Sequence, residues 1–541
     1  VIPGVTAVAE EPVASLPSAL DLSTPSPFRT LLADPDAEFT FLMVAGPLNG
    51  GGTFIRLSDK GFHSTPSDTP ANQTFSPRLL TALKIGVVAS RGGEFSGRSE
   101  PAVGDIVVAN PDGSLDSDLT FGWDGREIEV LAGGPDFTLE QFETVFKGTA
   151  DGLTWDERQI LIRLRDRQLF LNKPVQENLY SGAGLLDGNS EVKSKPKPLT
   201  YGVVNNLEPL LIDTTSLVYQ IHDGSIQAVD EVRDQGVALT DDGDLTDVYT
   251  WTPVAGKYVT NLFKGVMRLG ASPAGRITAD VQGDNAGLGI GGFINTTATI
   301  IRRIVTTRLG DDDLTDPDDI DVPAFNTVDS LFSGEIGLHI PAVARQTSSI
   351  LDEMMVGAVG FWTFTRKGRL TIGLVRAPQT ASRTLTNADN LLPGVRRLPT
   401  VAPSWRRRVG YEPMQVTQDP DELAGAVTDA NVAKFGAKHR FVSVSDTTVR
   451  DKHALARDAE TLTLLNLEAD ASALAQELQD TFGPDRDRYQ WRVPRALLRF
   501  WVGDVHTLQI SRFGLDAGKN FLILGITEDA SKDSVTVEYW G

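Results

Sequence analysis

Short apolar runs follow one another along this chain, each closed within a few residues by glycine, proline, asparagine or aspartate. That punctuation limits most of its length to strands and turns. Residues 38–46 (EFTFLMVAG) end in a glycine-rich turn, and residues 82–90 (ALKIGVVAS) and 104–115 (GDIVVANPDGSL) repeat the pattern. Residues 119–133 (LTFGWDGREIEVLAG) read as two strands about an Asp-Gly turn. Further on, Ile160, Ile162 and Leu164 alternate with Leu161, Arg163 and Arg165. Successive strand side chains point to opposite faces, so one face is apolar and the other mostly cationic. Several short strands at this spacing predict a small barrel or sandwich.

Helical spacing is rarer. Ile300, Ile301, Ile304 and Val305 share one face of a predicted helix over Ala298 to Gly310. A second is predicted over Val343 to Val356, leading into two strands around Lys367-Gly368, and a third over Ala469 to Gly483. Residues 265–281 (GVMRLGASPAGRITADV) read as a hairpin turning at 272–275. The expected fold class is mainly β with a few helices, a β-rich α+β multidomain chain. The expected division is an extended N-terminal arm over 1–36, a β-barrel domain over 37–178, a linker over 179–198, a β-rich domain over 199–296, an α+β domain over 297–395, and a C-terminal β-barrel domain over 396–541 with one helix at 469–483.

Composition narrows the function. Lys plus Arg number 50 against 72 for Asp plus Glu, a formal net charge of −22. Gripping nucleic acid requires clustered cations, and this chain repels a polyanion. The absence of cysteine excludes disulfides, thiolate zinc sites and a cysteine nucleophile. No apolar run approaches the roughly 20 residues that span a bilayer. The opening residues lack a basic start and a long apolar segment, so they are expected to be an arm that orders against a partner rather than a secretory signal.

No motif rises to a reactive site. Residues 287–292 (GLGIGG) fit a dinucleotide-binding glycine pattern, but the helix that follows ends in an acidic loop instead of a strand, so turn glycines are the better reading. The acidic stretch 310–322 (GDDDLTDPDDIDV) lacks the glycine and closing glutamate of an EF-hand and reads as a solvated loop, as does 240–247 (TDDGDLTD). His63, His222, His339, His439, His453 and His506 show no metal-pair spacing. Residues 514–520 (GLDAGKN) read as a turn. Residues 404–412 (SWRRRVGYE) are the one tight basic run beside aromatics, and they read as a strand pairing with acidic neighbours, Arg406 and Arg408 facing one way and Arg407 the other. No catalytic, cofactor-binding or metal-ligating residue is assigned; the chain is expected to be no enzyme and to need no cofactor.

Three blocks, 195–213 (KPKPLTYGVVNNLEPLLID), 217–240 (LVYQIHDGSIQAVDEVRDQGVALT) and 268–281 (RLGASPAGRITADV), resemble tail proteins of long-tailed bacteriophages. Residues 350–375 (ILDEMMVGAVGFWTFTRKGRLTIGLV), 424–429 (AGAVTD) and 501–541 are similar to segments of the tail-tip or baseplate hub (minor tail) proteins of such phages and of related gene transfer agents. The resemblance covers most of the chain after about residue 121. It implies a virion structural protein at the tail tip, made in the bacterial host cytoplasm, with β-barrel domains related to the tail-tube protein. It implies a homo-oligomer, typically a trimer, set between a sixfold tube and the host-contacting tip. The implied partners are the tail tube or distal tail protein, the tape-measure protein and tip or receptor-binding proteins, with DNA passing transiently and without specific binding. Two tube-like barrels per subunit let a threefold object cap a sixfold one. Alternatives are a sixfold distal tail protein, another tip subunit, a receptor-binding protein, or a cell-wall hydrolase.

Overall fold

The structure is a computed structural model that describes residues 26–34, 36–46, 54–89, 97–286, 292–310, 313–315, 318–389, 394–494, 498–532 and 534–541. The fold is mainly β, in several sheets, with a few helices.

The largest sheet has 15 strands and draws on both ends of the chain. From the N-terminal side come Thr40–Ala45, Ile55–Ser58, Phe62–His63, Thr74–Pro77, Leu79–Val88, Glu100–Ala109, Glu127–Gly133, Glu143–Trp155 and Gln159–Arg165. From the C-terminal side come Arg383–Thr386, Arg396–Leu398, Arg488–Pro494, Val505–Gln509, Lys519–Asp529 and Ser534–Trp540. In Gln159–Arg165, Ile160, Ile162 and Leu164 are buried and Arg163 is exposed, as their alternation predicts. One apolar cluster spans the strands from both sides, taking in Ile85, Val87 and Ile106 from one side and Trp491, Ile523 and Ile526 from the other.

Among the described residues the strands do not close a barrel. The N-terminal group curls far enough that Arg78 donates its N–H to Ser58 O at 2.9 Å, while the Arg78 carbonyl accepts from Ala109 N at 2.7 Å. Closure stops there because Leu79–Val88 has only two edges. One pairs Glu100–Ala109, and the other pairs Lys519–Asp529.

Two five-stranded sheets lie in the middle of the chain. Residues 265–281 form no hairpin. Val266–Leu269 pairs with Val218–Gln220 and Lys257–Asn261 in one sheet, whereas Ile277–Asp284 pairs with Leu199–Leu207 and Ile226–Asp234 in the other. The turn is tethered to a different strand: the Asp234 carboxylate accepts from Ala274 N at 2.7 Å and Gly275 N at 2.9 Å.

Helices Thr297–Thr307, Val322–Leu331, Thr347–Gly357 and Glu468–Phe482 share a second core with the hairpin Gly360–Phe364 and Leu370–Leu374. Three expectations are corrected around it. The stretch from Ser404 to Phe482 packs on this second core instead of forming one barrel with the residues after it, and it carries two further helices, Asp429–Gly436 and Thr447–Lys452. The expected arm is helical at Pro27–Ala33, capped by Ser26 Oγ and anchored by buried Phe28 and Leu32; residues 1–25 lie outside the described residues. The expected linker 179–198 is packed down, with Tyr180 and Val192 buried and Tyr180 Oη donating to Gln220 Oε1 at 2.5 Å.

Candidate functional site

The most distinctive place in the fold is the seam where the two ends of the chain meet. Gly525 pairs with Val88, Ile526 with Val87, Thr527 with Gly86, Glu528 with Ile85 and Asp529 with Lys84. Ala89 N extends the ladder to Leu524 O at 2.8 Å. On the other edge of the same strand, Gly104 approaches so closely that a Cβ there would sit 2.1 Å from Lys84 O. Only glycine fits at that position.

The hairpin around Gly368 pins the seam. Its Arg366 guanidinium reaches Glu528 in the C-terminal strand, Nη1 to Oε2 2.5 Å, with the two side chains 1% and 0% exposed. The same guanidinium donates to Phe500 O at 3.1 Å and lies 4.4 Å from the Trp501 ring centroid. Towards the N-terminal strands, Arg366 O accepts from Lys147 N at 2.8 Å and Lys367 Nζ donates to Glu143 Oε2 at 2.6 Å. Glu528 also accepts from Leu498 N at 3.0 Å. A buried ion pair depends on hydrogen bonds to its other polar atoms; the Phe500 carbonyl supplies one to Arg366 Nη2 and the Leu498 N–H one to Glu528 Oε1. Beside it, burial pushes the Asp504 carboxyl up to about 7, although Trp501 N donates to it and Arg366 is near.

A second arrangement surrounds the basic run. Strand Ser404–Tyr411 lies between Arg440–Ser445 and Arg457–Leu462. Register sets Arg406 opposite Asp458 and Arg408 opposite Glu460, with ion pairs at 2.8 and 3.2 Å. Arg407 turns inward, donating to Ser404 Oγ at 2.7 Å and lying 4.6 Å from the Phe482 ring centroid. The expected acidic neighbours are thus present, on the parallel strand. Among the described residues neither outer strand of this sheet pairs further.

The other sequence candidates serve local structure. Burial keeps His222 and His339 neutral, their pKa lowered to about 4; His222 Nδ1 accepts from Thr200 N at 2.9 Å and His339 Nδ1 lies 2.9 Å from Thr200 Oγ1. His506 is likewise lowered by burial, to about 3, and bonds Tyr539 Oη at 2.9 Å. In the acidic stretch 310–322, Asp319 pairs with Arg167 at 2.8 Å, Asp318 pairs with Arg369, and Asp321 caps helix Val322–Leu331. Asp311, Asp312 and Asp316 lie outside the described residues, as do residues 287–291 of the glycine-rich motif. In 240–247, Asp242 binds Lys257 at 2.6 Å and Asp244 accepts from Leu262 N at 2.8 Å. Gly514 and Gly518 take positive φ in a turn before Lys519. Among the described residues no three His, Asp or Glu side chains converge as metal ligands. Arg366 and Glu528 carry no sequence signal, because the pairing depends on strands distant in the chain.

No family model matches the chain, and no curated protein matches it. Among solved structures it is similar to phage-tail proteins. A 43 kDa prophage tail protein from Shewanella oneidensis shares 13% identity over 93% of this chain and 96% of that one, with a TM-score of 0.37. A tail protein from Neisseria meningitidis shares 9% over 93% and 96%, with a TM-score of 0.36. A chain of the virion of a native gene transfer agent shares 14% over 64% and 84%, with a TM-score of 0.41.

Proposed function

We propose that this chain is a structural subunit of a phage-type tail tip, a hub that joins the tail tube to the host-contacting tip. One observation carries the reading: strands from both ends of the chain fuse into a single 15-stranded sheet over one core. Each subunit then brings two strand-rich units, fixed to one another by backbone pairing. Three subunits set six such units around an axis, and a threefold ring matches a sixfold tube. Residues this numerous, spent on pairing and burial, suit the wall of a passage. The acidic balance of the chain leaves DNA phosphate few cations to adhere to, so DNA slides through without specific binding. The tube or distal tail protein, the tape-measure protein and tip proteins are its neighbours in this reading.

Electron microscopy of assembled particles, with this chain labelled, tests the proposal. Three copies at the junction of tube and tip are expected. Six copies favour a distal tail ring instead. Absence of the label from the particle, or turnover of peptidoglycan by the purified chain, overturns the reading.

A further inference from the structure

A cleft of about 560 Å³ opens beside the packed segment 179–198, between the turns at 222–225 and 262–265 and the end of helix Thr297–Thr307. This volume falls within the range of small-ligand sites, roughly 300–1,000 Å³. Leu186 and Phe263 are among its apolar lining residues, and Phe263 is 74% exposed at the tip of its turn. Most of the rest of the lining is polar or charged.

The carboxylates of the cleft are already engaged. Asp284 accepts from Arg303 Nε at 2.9 Å and from Ala286 N at 2.7 Å. Asp223 accepts from Asn178 Nδ2 at 2.7 Å and lies 3.6 Å from Arg308 Nη1. Asp187 accepts from Ser181 Oγ and lies 3.9 Å from Lys197 Nζ. Three of the cations, Lys197, Arg303 and Arg308, are the partners of these acids. Lys264 makes no ion pair among the described residues, and its Nζ lies 5.2 Å from the Phe263 ring centroid. His222 accepts from Thr200 N through Nδ1, so its proton sits on Nε2, beside Gly224 in the cleft lining. Four cations, Lys197, Lys264, Arg303 and Arg308, face three carboxylates. In a chain of net charge −22, the cleft therefore holds one cation in excess, Lys264, beside the exposed Phe263.

We propose that this cleft binds a saccharide bearing an acidic group. The sugar ring lies against Phe263, and its carboxylate or phosphate is held by Lys264 and Arg308. An aromatic face covers the apolar C–H face of a sugar, and a cation beside that ring meets the charged substituent. The site is complete within one chain, so it stands whether or not the chain assembles at a tail tip.

Calorimetric titration of the full chain with glucuronic acid, glucose 6-phosphate, glucose and inorganic phosphate tests the assignment. Glucuronic acid, glucose 6-phosphate or both are expected to bind, and glucose is not. Which acid binds identifies the substituent. Phe263→Ala and Lys264→Glu change exposed turn residues, and each is expected to weaken binding about tenfold or more, a loss of about 1.4 kcal/mol, with the melting temperature unchanged. Inorganic phosphate binding as tightly as both acidic sugars and insensitive to Phe263→Ala marks a bare anion site and overturns the proposal. So does the absence of heat with both acidic sugars at millimolar concentration.

Discussion

Arg366 and Glu528 form an ion pair at 2.5 Å with neither side chain accessible to water, and they join a hairpin in the middle of the chain to a strand near its end. Removing one partner leaves a buried charge alone. Arg366→Met is expected to destabilise the fold by about 3–5 kcal/mol, and Glu528→Gln in the same direction; the double change to Met at both positions recovers most of the loss. Urea unfolding followed by tryptophan fluorescence measures all three, with Trp501 beside the pair as reporter.

Gly104→Ala tests the close approach on the other edge of the seam strand. Its Cβ would lie 2.1 Å from the Lys84 carbonyl oxygen, a backbone atom that moves only with its strand. A loss of about 1–3 kcal/mol or more is expected, the range for overpacking. Gly86→Ala serves as the control, since its added Cβ meets nothing nearer than 3.7 Å. Thermal melts of the two variants are expected to separate clearly, with Gly86→Ala near the parent protein.

Asp504 gives stability a pH dependence of defined sign. Its folded pKa, about 7, lies above the ordinary aspartate value. Between pH about 4 and 7 the folded chain holds a proton that the unfolded chain has lost, so this group lowers stability as pH rises through that window and adds no further slope above it. Asp504→Asn removes the slope while keeping an acceptor for Trp501 N. Melting temperatures taken from pH 5 to 8 are expected to fall less in the variant than in the parent.

His222 and His339 act in the opposite direction. Both stay neutral when folded down to about 4, while an unfolded histidine takes up a proton near 6.5. Their contribution is fully present above pH about 6.5 and is lost as pH falls towards 4. In His339→Gln, melting temperature is expected to decline less steeply across that acid window.

The outward arginine row contributes little to stability. Arg408 and Glu460 are partly exposed, and a double-mutant cycle with alanine at both positions is expected to return a coupling of about 0–1 kcal/mol. A coupling several times larger would show that the sheet face is covered in solution.

Local rules made parts of this fold legible. The alternation from Ile160 to Leu164 marks a buried strand face, and the helix predicted over Ala469 to Gly483 is found at Glu468–Phe482, with Gly483 at its end. Helix Val322–Leu331 begins at the end of the acidic stretch 310–322, whose charge masks its start. Asp321 followed by Pro323 within the first turn is a helix-start signal. Long-range pairing was not legible. Nothing around Leu79–Val88 specifies that its free edge receives Lys519–Asp529, because an edge offers the same backbone groups to any strand. The parallel pairing of Ser404–Tyr411 with Arg457–Leu462 was hidden for the same reason, although the acids at Asp458 and Glu460 spaced to match Arg406 and Arg408 were a usable clue.

The seam also dictates an order of events during synthesis. Leu79–Val88 leaves the ribosome long before Lys519–Asp529 exists, so the nascent chain carries an unsatisfied row of N–H and C=O groups until residues 519–529 have been made. A chain stopped short of residue 519 keeps that row open, and truncation products are therefore inclined to stick to one another through the very edge that strand Lys519–Asp529 otherwise covers.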